Sequence, residues 1–247
     1  MSELFIDATH AGVAGDMLLS ALVSLGADPQ KIESALAPLS ATVPIQLSFQ
    51  KVNRAGVSAL HFALKEPFPE FKHHNYGHLK KLFSSLSLSP KTEALALEIL
   101  RVIGEAEAKI HHIPLEKVHF HEVGAIDSVV DILGVSLALE QINPKRITCS
   151  TITLGFGSVH CSHGLYPVPA PATLEILEGL SIGSGPQPYE MTTPTGAAIL
   201  KVICEQTGAV LPEMVLTKIG YGAGTRDIKN HPNVLRMMLG EVNEPKV

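Results

Sequence analysis

Residues 4–26, LFIDATHAGVAGDMLLSALVSLG, read as strand, turn and helix in succession. Leu4 to Ala8 reads as a short strand. Gly12, Gly15 and Asp16 interrupt it, after which Leu18, Leu22 and Leu25 recur at helical spacing until Gly26 ends the run. Asp28 and Pro29 then supply an N-cap and a first-turn proline for a second helix, with Ile32, Ala35 and Leu36 facing inward.

Working outward, two strands are expected near 45–52 and 57–64, followed by a surface loop over 65–77 that carries His73 and His74. Past Pro90 a long amphipathic helix sets Leu95, Ile99, Val102, Ile103 and Ala106 on one side and ends near His111. Ile126, Val130, Leu133 and Leu137 mark another helix, and residues 147–154 alternate as one strand. The alternate prolines of 166–171 predict an extended wall of a cleft. Thr193, Pro194 and Gly196 open a helix over 197–205, and 216–221 and 234–239 read as strands. The irregular alternation predicts an α/β fold shading into α+β: one mixed sheet covered by helices, with cleft-lining loops.

At 247 residues and 45% hydrophobic composition the chain can bury a core without staples. Cys149, Cys161 and Cys204 are few, odd in number and widely spaced, which argues against a secreted disulfide scaffold. Lys+Arg 19 against Asp+Glu 24 leaves a formal charge of −5 with no basic stripe, so nucleic acid is not an expected partner. The first residues, MSELFIDATH, lack a leader pattern and no run is long enough to span a membrane, so a cytoplasmic location is expected.

Three clusters carry chemistry. The first is His119, His121 and Glu122, followed by Asp127 and Asp131. If 118–122 is extended, both imidazoles leave the same face and reach one ion, while Phe120 points inward. Asp127 and Asp131 sit one helical turn apart, close enough to share a cation or orient an imidazole; a helix cap and a solvated carboxylate would explain them equally well. Nitrogen and oxygen donors suit zinc, nickel, copper or iron.

The second cluster is Asp7 and His10, with Asp16 at the glycine turn; there a cation bridging to a phosphate is favoured over a bare phosphate, although a plain glycine turn is the alternative. The third is Thr193, Thr195 and Gly196, a candidate phosphate cradle that ordinary helix capping also explains. The glycines at 220, 222 and 224 are ambiguous, and His160, Cys161, His163 and the loop group His73, His74 and His78 rank lower.

FIDATHAGVAGDMLLSAL (5–22), EAEAKIHHIPLEKVHFHEVGAIDSVVDI (105–132), HGLYPVPAPATLEIL (163–177), TTPTGAAIL (192–200) and GYGAGTRD (220–227) together resemble the LarC-type nickel insertion proteins across nearly the whole chain. The resemblance implies a CTP-dependent nickel chelatase that inserts Ni²⁺ into pyridinium-3,5-bisthiocarboxylic acid mononucleotide, making the pincer cofactor of lactate racemase. It implies His119 and His121 holding nickel, with Asp131, His10 and Asp16 as further metal candidates served by Ni²⁺ and by Mg²⁺ or Mn²⁺. Glu122 or Asp127 would act as general base, and Thr193, Thr195 and Gly196, with Asp7, would anchor the nucleotide.

The chain departs from the family at HHNYGH (73–78), where members often carry a longer histidine tract. Longer members continue into a C-terminal domain, so residues 1–247 are read as the N-terminal region, with a subdivision point near 65–90. A separate C-terminal subunit and a homo-oligomer are the expected partners. Two other readings compete: a nickel-delivery module without chemistry of its own, and a metal-dependent hydrolase, since His-x-His beside carboxylates also suits a metal-bound hydroxide.

Overall fold

The computed structural model describes residues 1–39, 46–64, 74–120, 125–161 and 164–242. His73, His121, Glu122 and His163 lie outside them. The opening unit forms as its pattern requires: β1 (Ser2–Asp7), then α1 (Gly15–Leu25), then α2 (Pro29–Leu36), with Asp28 accepting the Gln30 amide at 2.9 Å as its N-cap. Leu18, Leu19 and Leu22 are fully buried; each such side chain contributes about 1.5–3 kcal/mol relative to exposure.

β2 (Leu47–Arg54) and β3 (Val57–Leu64) pair as an antiparallel hairpin. α3 (Tyr76–Ser85) starts inside the stretch expected to be loop. Its signals are Asn75, whose side chain accepts the His78 amide, and Leu79 and Phe83 buried one turn apart; ten residues with a glycine near the start hide them. α4 (Pro90–His111) and α5 (Ile126–Ile142) follow their apolar stripes, and α4 ends at the expected residue.

The predicted strand over 147–154 is instead two. β4 (Arg146–Cys149) lies parallel to β1, whereas β5 (Ile152–Leu154) leaves for a small sheet with β8 (Ile182–Ser184). The alternation continues unbroken through the switch because Ser150 supplies the turn: its amide donates to Ile6 O and its hydroxyl accepts the Ala8 amide. The proline-rich stretch forms β7 (Gly164–Pro167), paired with β6 (Ser158–Cys161), and then opens α6 (Pro171–Leu177). α7 (Pro194–Ile203), β9 (Met214–Ala223) and β10 (Val234–Val242) complete the described chain.

The main sheet is mixed and six-stranded, in the order β2-β3-β9-β10-β1-β4. α1 lies on it, packed against β9, β3 and β10 on one side and α5 on the other; α4 packs behind α5 with α6 and α7. The ambiguous glycines of β9 make this possible. A Cβ on Gly220 or Gly222 would stand 2.2 Å from Ala21 O or 2.0 Å from Met17 O, so the α1 backbone rests directly on the strand. Among the described residues no helix is long and apolar enough to cross a membrane.

Candidate functional site

The starts of α1, α5 and α7 converge. An isolated parallel bridge joins Val13 to Thr192 immediately before α1 and α7, with the Val13 amide donating to Met191 O and the Thr193 amide to Val13 O, both at 3.0 Å. Gly196 locks the contact: a Cβ there would lie 2.4 Å from Val13 O. α5 approaches from the other side, where a Cβ on Gly15 would lie 2.5 Å from Asp131 Oδ2. Between the three starts opens a cavity of about 490 Å³, walled by Asp16, Asp127, Asp131, Thr193, Thr195 and, from β3, His61.

Helix starts present unpaired amides and the positive end of the backbone dipole. Ala14 and Ala125, the N-cap residues of α1 and α5, offer no side-chain cap, so these ends are left to other groups. Asp16 Oδ1 accepts the Met17 amide at 2.8 Å, Asp127 Oδ1 accepts the Ser128 amide at 2.8 Å, and Asp131 takes the Asp16 amide. At α7, Thr193 Oγ1 accepts the Gly196 amide at 3.2 Å. The Gly196 amide is thereby used in capping, and its role is to seat one helix against the other.

Burial pushes the Asp16 carboxyl up to about 6, against the hydrogen bonds from the Met17 amide and the Thr225 hydroxyl, with Asp127 adding to the rise. Burial raises Asp131 well above the usual carboxylate range, and Asp16 and Asp127 add to it. Asp131 Oδ1 is sealed from water with no partner. Like-charged carboxylates crowded in this way favour a proton or a cation among them. Among the described residues no three histidine, cysteine or acidic side chains stand close enough to hold a metal ion unaided. Two carboxylates completed by ligand phosphate oxygens are, however, a common donor set for Mg²⁺.

The other expected site residues lie elsewhere. His119 is exposed on an isolated antiparallel bridge to Asn75, between the buried Val118 and Phe120, so Phe120 points inward as its alternation required. That bridge brings His119 beside the loop group, in which His74 and His78 stack with ring centroids 4.3 Å apart. Asp7 is buried at the end of β1. Burial raises its carboxyl, but the Thr9 hydroxyl, Arg236 and the Thr9 amide outweigh that and leave it lowered, in an ion pair with Arg236. His10 is exposed and stacks on His231 at 4.4 Å. None of these, nor the proline-rich stretch, lines the cavity.

Sequence reasoning missed His61. Burial lowers its pKa, the Arg54 charge adds to the effect, and its Nε2 is sealed without a partner. Within β3 it reads as an ordinary strand position; only the helix starts across from it give it a place in the cavity. Thr225 was also missed as a wall, although it lies in the quoted GYGAGTRD motif, and its hydroxyl reaches Asp16 Oδ2 at 3.4 Å.

A family model described as "Nickel insertion protein" matches residues 4–247. A Geobacillus kaustophilus protein named pyridinium-3,5-bisthiocarboxylic acid mononucleotide nickel insertion protein is 44% identical over 98% of this chain and 60% of its own length. A Staphylococcus epidermidis protein of the same name is 45% identical over 95% of the chain and 58% of its own length. A putative nickel insertion protein from Syntrophotalea carbinolica is 44% identical over 99% and 61%. The chain thus spans about three fifths of the length of the curated relatives it matches. No solved structure matches it. A likeness of this extent makes the chain a member of the nickel insertion protein family.

Proposed function

We propose that this chain inserts nickel into pyridinium-3,5-bisthiocarboxylic acid mononucleotide with consumption of CTP, as the names of its relatives suggest for the substrate. The observation that carries the reading is the meeting of Asp16, Asp127 and Asp131 with Thr193 and Thr195 in one cavity at three helix starts. Helix starts and threonine hydroxyls suit a nucleotide phosphate. Asp16 and Asp131 would hold Mg²⁺ or Mn²⁺, whose role there is to neutralise phosphate charge.

Insertion forms two nickel–sulfur bonds and one nickel–carbon bond, and the ring proton must leave. Asp127, exposed at the cavity mouth, or Glu122 accepts that proton. Nickel, the cargo, is delivered by His119 and His121, imidazole donors that suit this metal. The test is to incubate the chain with Ni²⁺, CTP and the dithiolated pyridinium mononucleotide, and to follow the metallated product by mass spectrometry. Product is expected, and a variant with H119A and H121A loses it. Absence of product from the chain alone, with product restored by the C-terminal part of a relative, would favour the delivery reading.

A further inference from the structure

Behind Asp16 a second chamber of about 190 Å³ adjoins the cavity, sharing Ala14, Asp16, Glu190, Thr193 and Thr225 as wall. That volume falls below the roughly 300 Å³ at which pockets for whole small molecules begin, so it suits one group of a ligand whose remainder lies next door.

Its far wall is Tyr189 and Arg226. The Arg226 guanidinium lies 4.8 Å from the centroid of the Tyr189 ring. The Tyr189 hydroxyl is sealed from water with no hydrogen-bond partner. Burial raises its pKa, against the pull of Arg226, which keeps it a donor. The loop that carries Arg226 is held in place: buried Asn233 donates from Nδ2 to Arg226 O at 3.1 Å and accepts the Gly224 amide at 3.0 Å. Met17 and Met191, both buried, add polarisable thioether surface.

An exposed guanidinium, a buried hydroxyl donor and a soft floor in a space this small suit a planar acidic group, oxygen- or sulfur-bearing. A guanidinium fork matches such a group through two parallel hydrogen bonds. We infer that this chamber is the subsite for an acid group on the ligand's aromatic ring, received by Arg226 and Tyr189, while the phosphate is held at Thr193 and Thr195 across Asp16. The inference rests on the function proposed above and adds the residues that select a ring acid.

The test uses calorimetric titration of the whole chain and its R226Q variant, in Mg²⁺, with three probes. Nicotinic acid mononucleotide carries ring acid and phosphate, nicotinamide mononucleotide carries phosphate and a neutral amide, and nicotinic acid riboside carries the acid alone. R226Q is expected to weaken the two acid-bearing probes by about ten- to a hundredfold, the range of a charged hydrogen-bonded pair, and to leave nicotinamide mononucleotide unchanged. Y189F is expected to weaken the same two probes by several-fold. Equal weakening of both mononucleotides by R226Q would move Arg226 to the phosphate and overturn the subsite. Affinities indifferent to R226Q would overturn it while leaving the proposed function standing. Failure of the wild-type chain to bind any probe would overturn the subsite, while the proposed function stands or falls on the product assay.

Discussion

Asp131 and His119 lie close in sequence, yet their surroundings are built in opposite ways. Asp131 is pressed against Gly15, receives the Asp16 amide and keeps an oxygen that neither water nor protein reaches. His119 stands in solvent on a bridge of a single residue pair. The first surrounding is paid for by the fold, through three helix starts and glycines that admit backbone contact. The second costs the fold almost nothing. A buried constellation can preorganise a ligand, because its groups have no alternative positions; an exposed imidazole can capture and release a metal, because it has many.

The largest test of this contrast is D131N. Under Mn²⁺ at about a hundred times its dissociation constant, wild-type protein should gain about 2.7 kcal/mol of stability. That gain corresponds to roughly 2–4 °C of Tm per kcal/mol for a domain of this size. D131N should lose most of the shift, and chelation should bring wild type down to the variant. A shift that survives D131N would remove Asp131 from the cation site.

G196A should come next. Its methyl would meet Val13 O, a backbone atom that cannot swing aside, at a cost of about 1–3 kcal/mol in chemical denaturation. An unchanged denaturation midpoint would mean that α1 and α7 are not locked start to start. Smallest is H119A, which should move stability by no more than about 0.5 kcal/mol and leave the Mn²⁺ shift intact. It should lower nickel retention in equilibrium dialysis; unaltered retention would take His119 out of nickel handling.

The elements were largely legible because their patterns are local. α1, α2, α4, α5 and α7 follow apolar spacing and caps that lie within a few residues of each helix, and β3 and β10 start where their apolar runs start. α3 escaped notice because it is short and follows a stretch without clear period. The break between β4 and β5 escaped because alternation says which face a side chain takes, not which sheet the strand joins. Of the candidate residues, Asp16, Asp127, Asp131, Thr193 and Thr195 could be named from residue type and position at helix starts. Nothing in the order of residues separated them from Asp7, which turned out to be engaged by Arg236 from the other end of the chain.

Sequence alone thus determined the chain's family, the identity of most helices and strands, and the residue types available for metal and phosphate. Tertiary structure alone decided which of those residues share a cavity, that His61 joins them while Arg226 walls the adjoining chamber, and that His119 lies beside His74 and His78 instead. The reason is physical: helical and strand periodicity act over a few residues, whereas a site forms where backbones far apart in the chain are allowed to touch, here at Val13 and Thr192, by the absence of a side chain at Gly196.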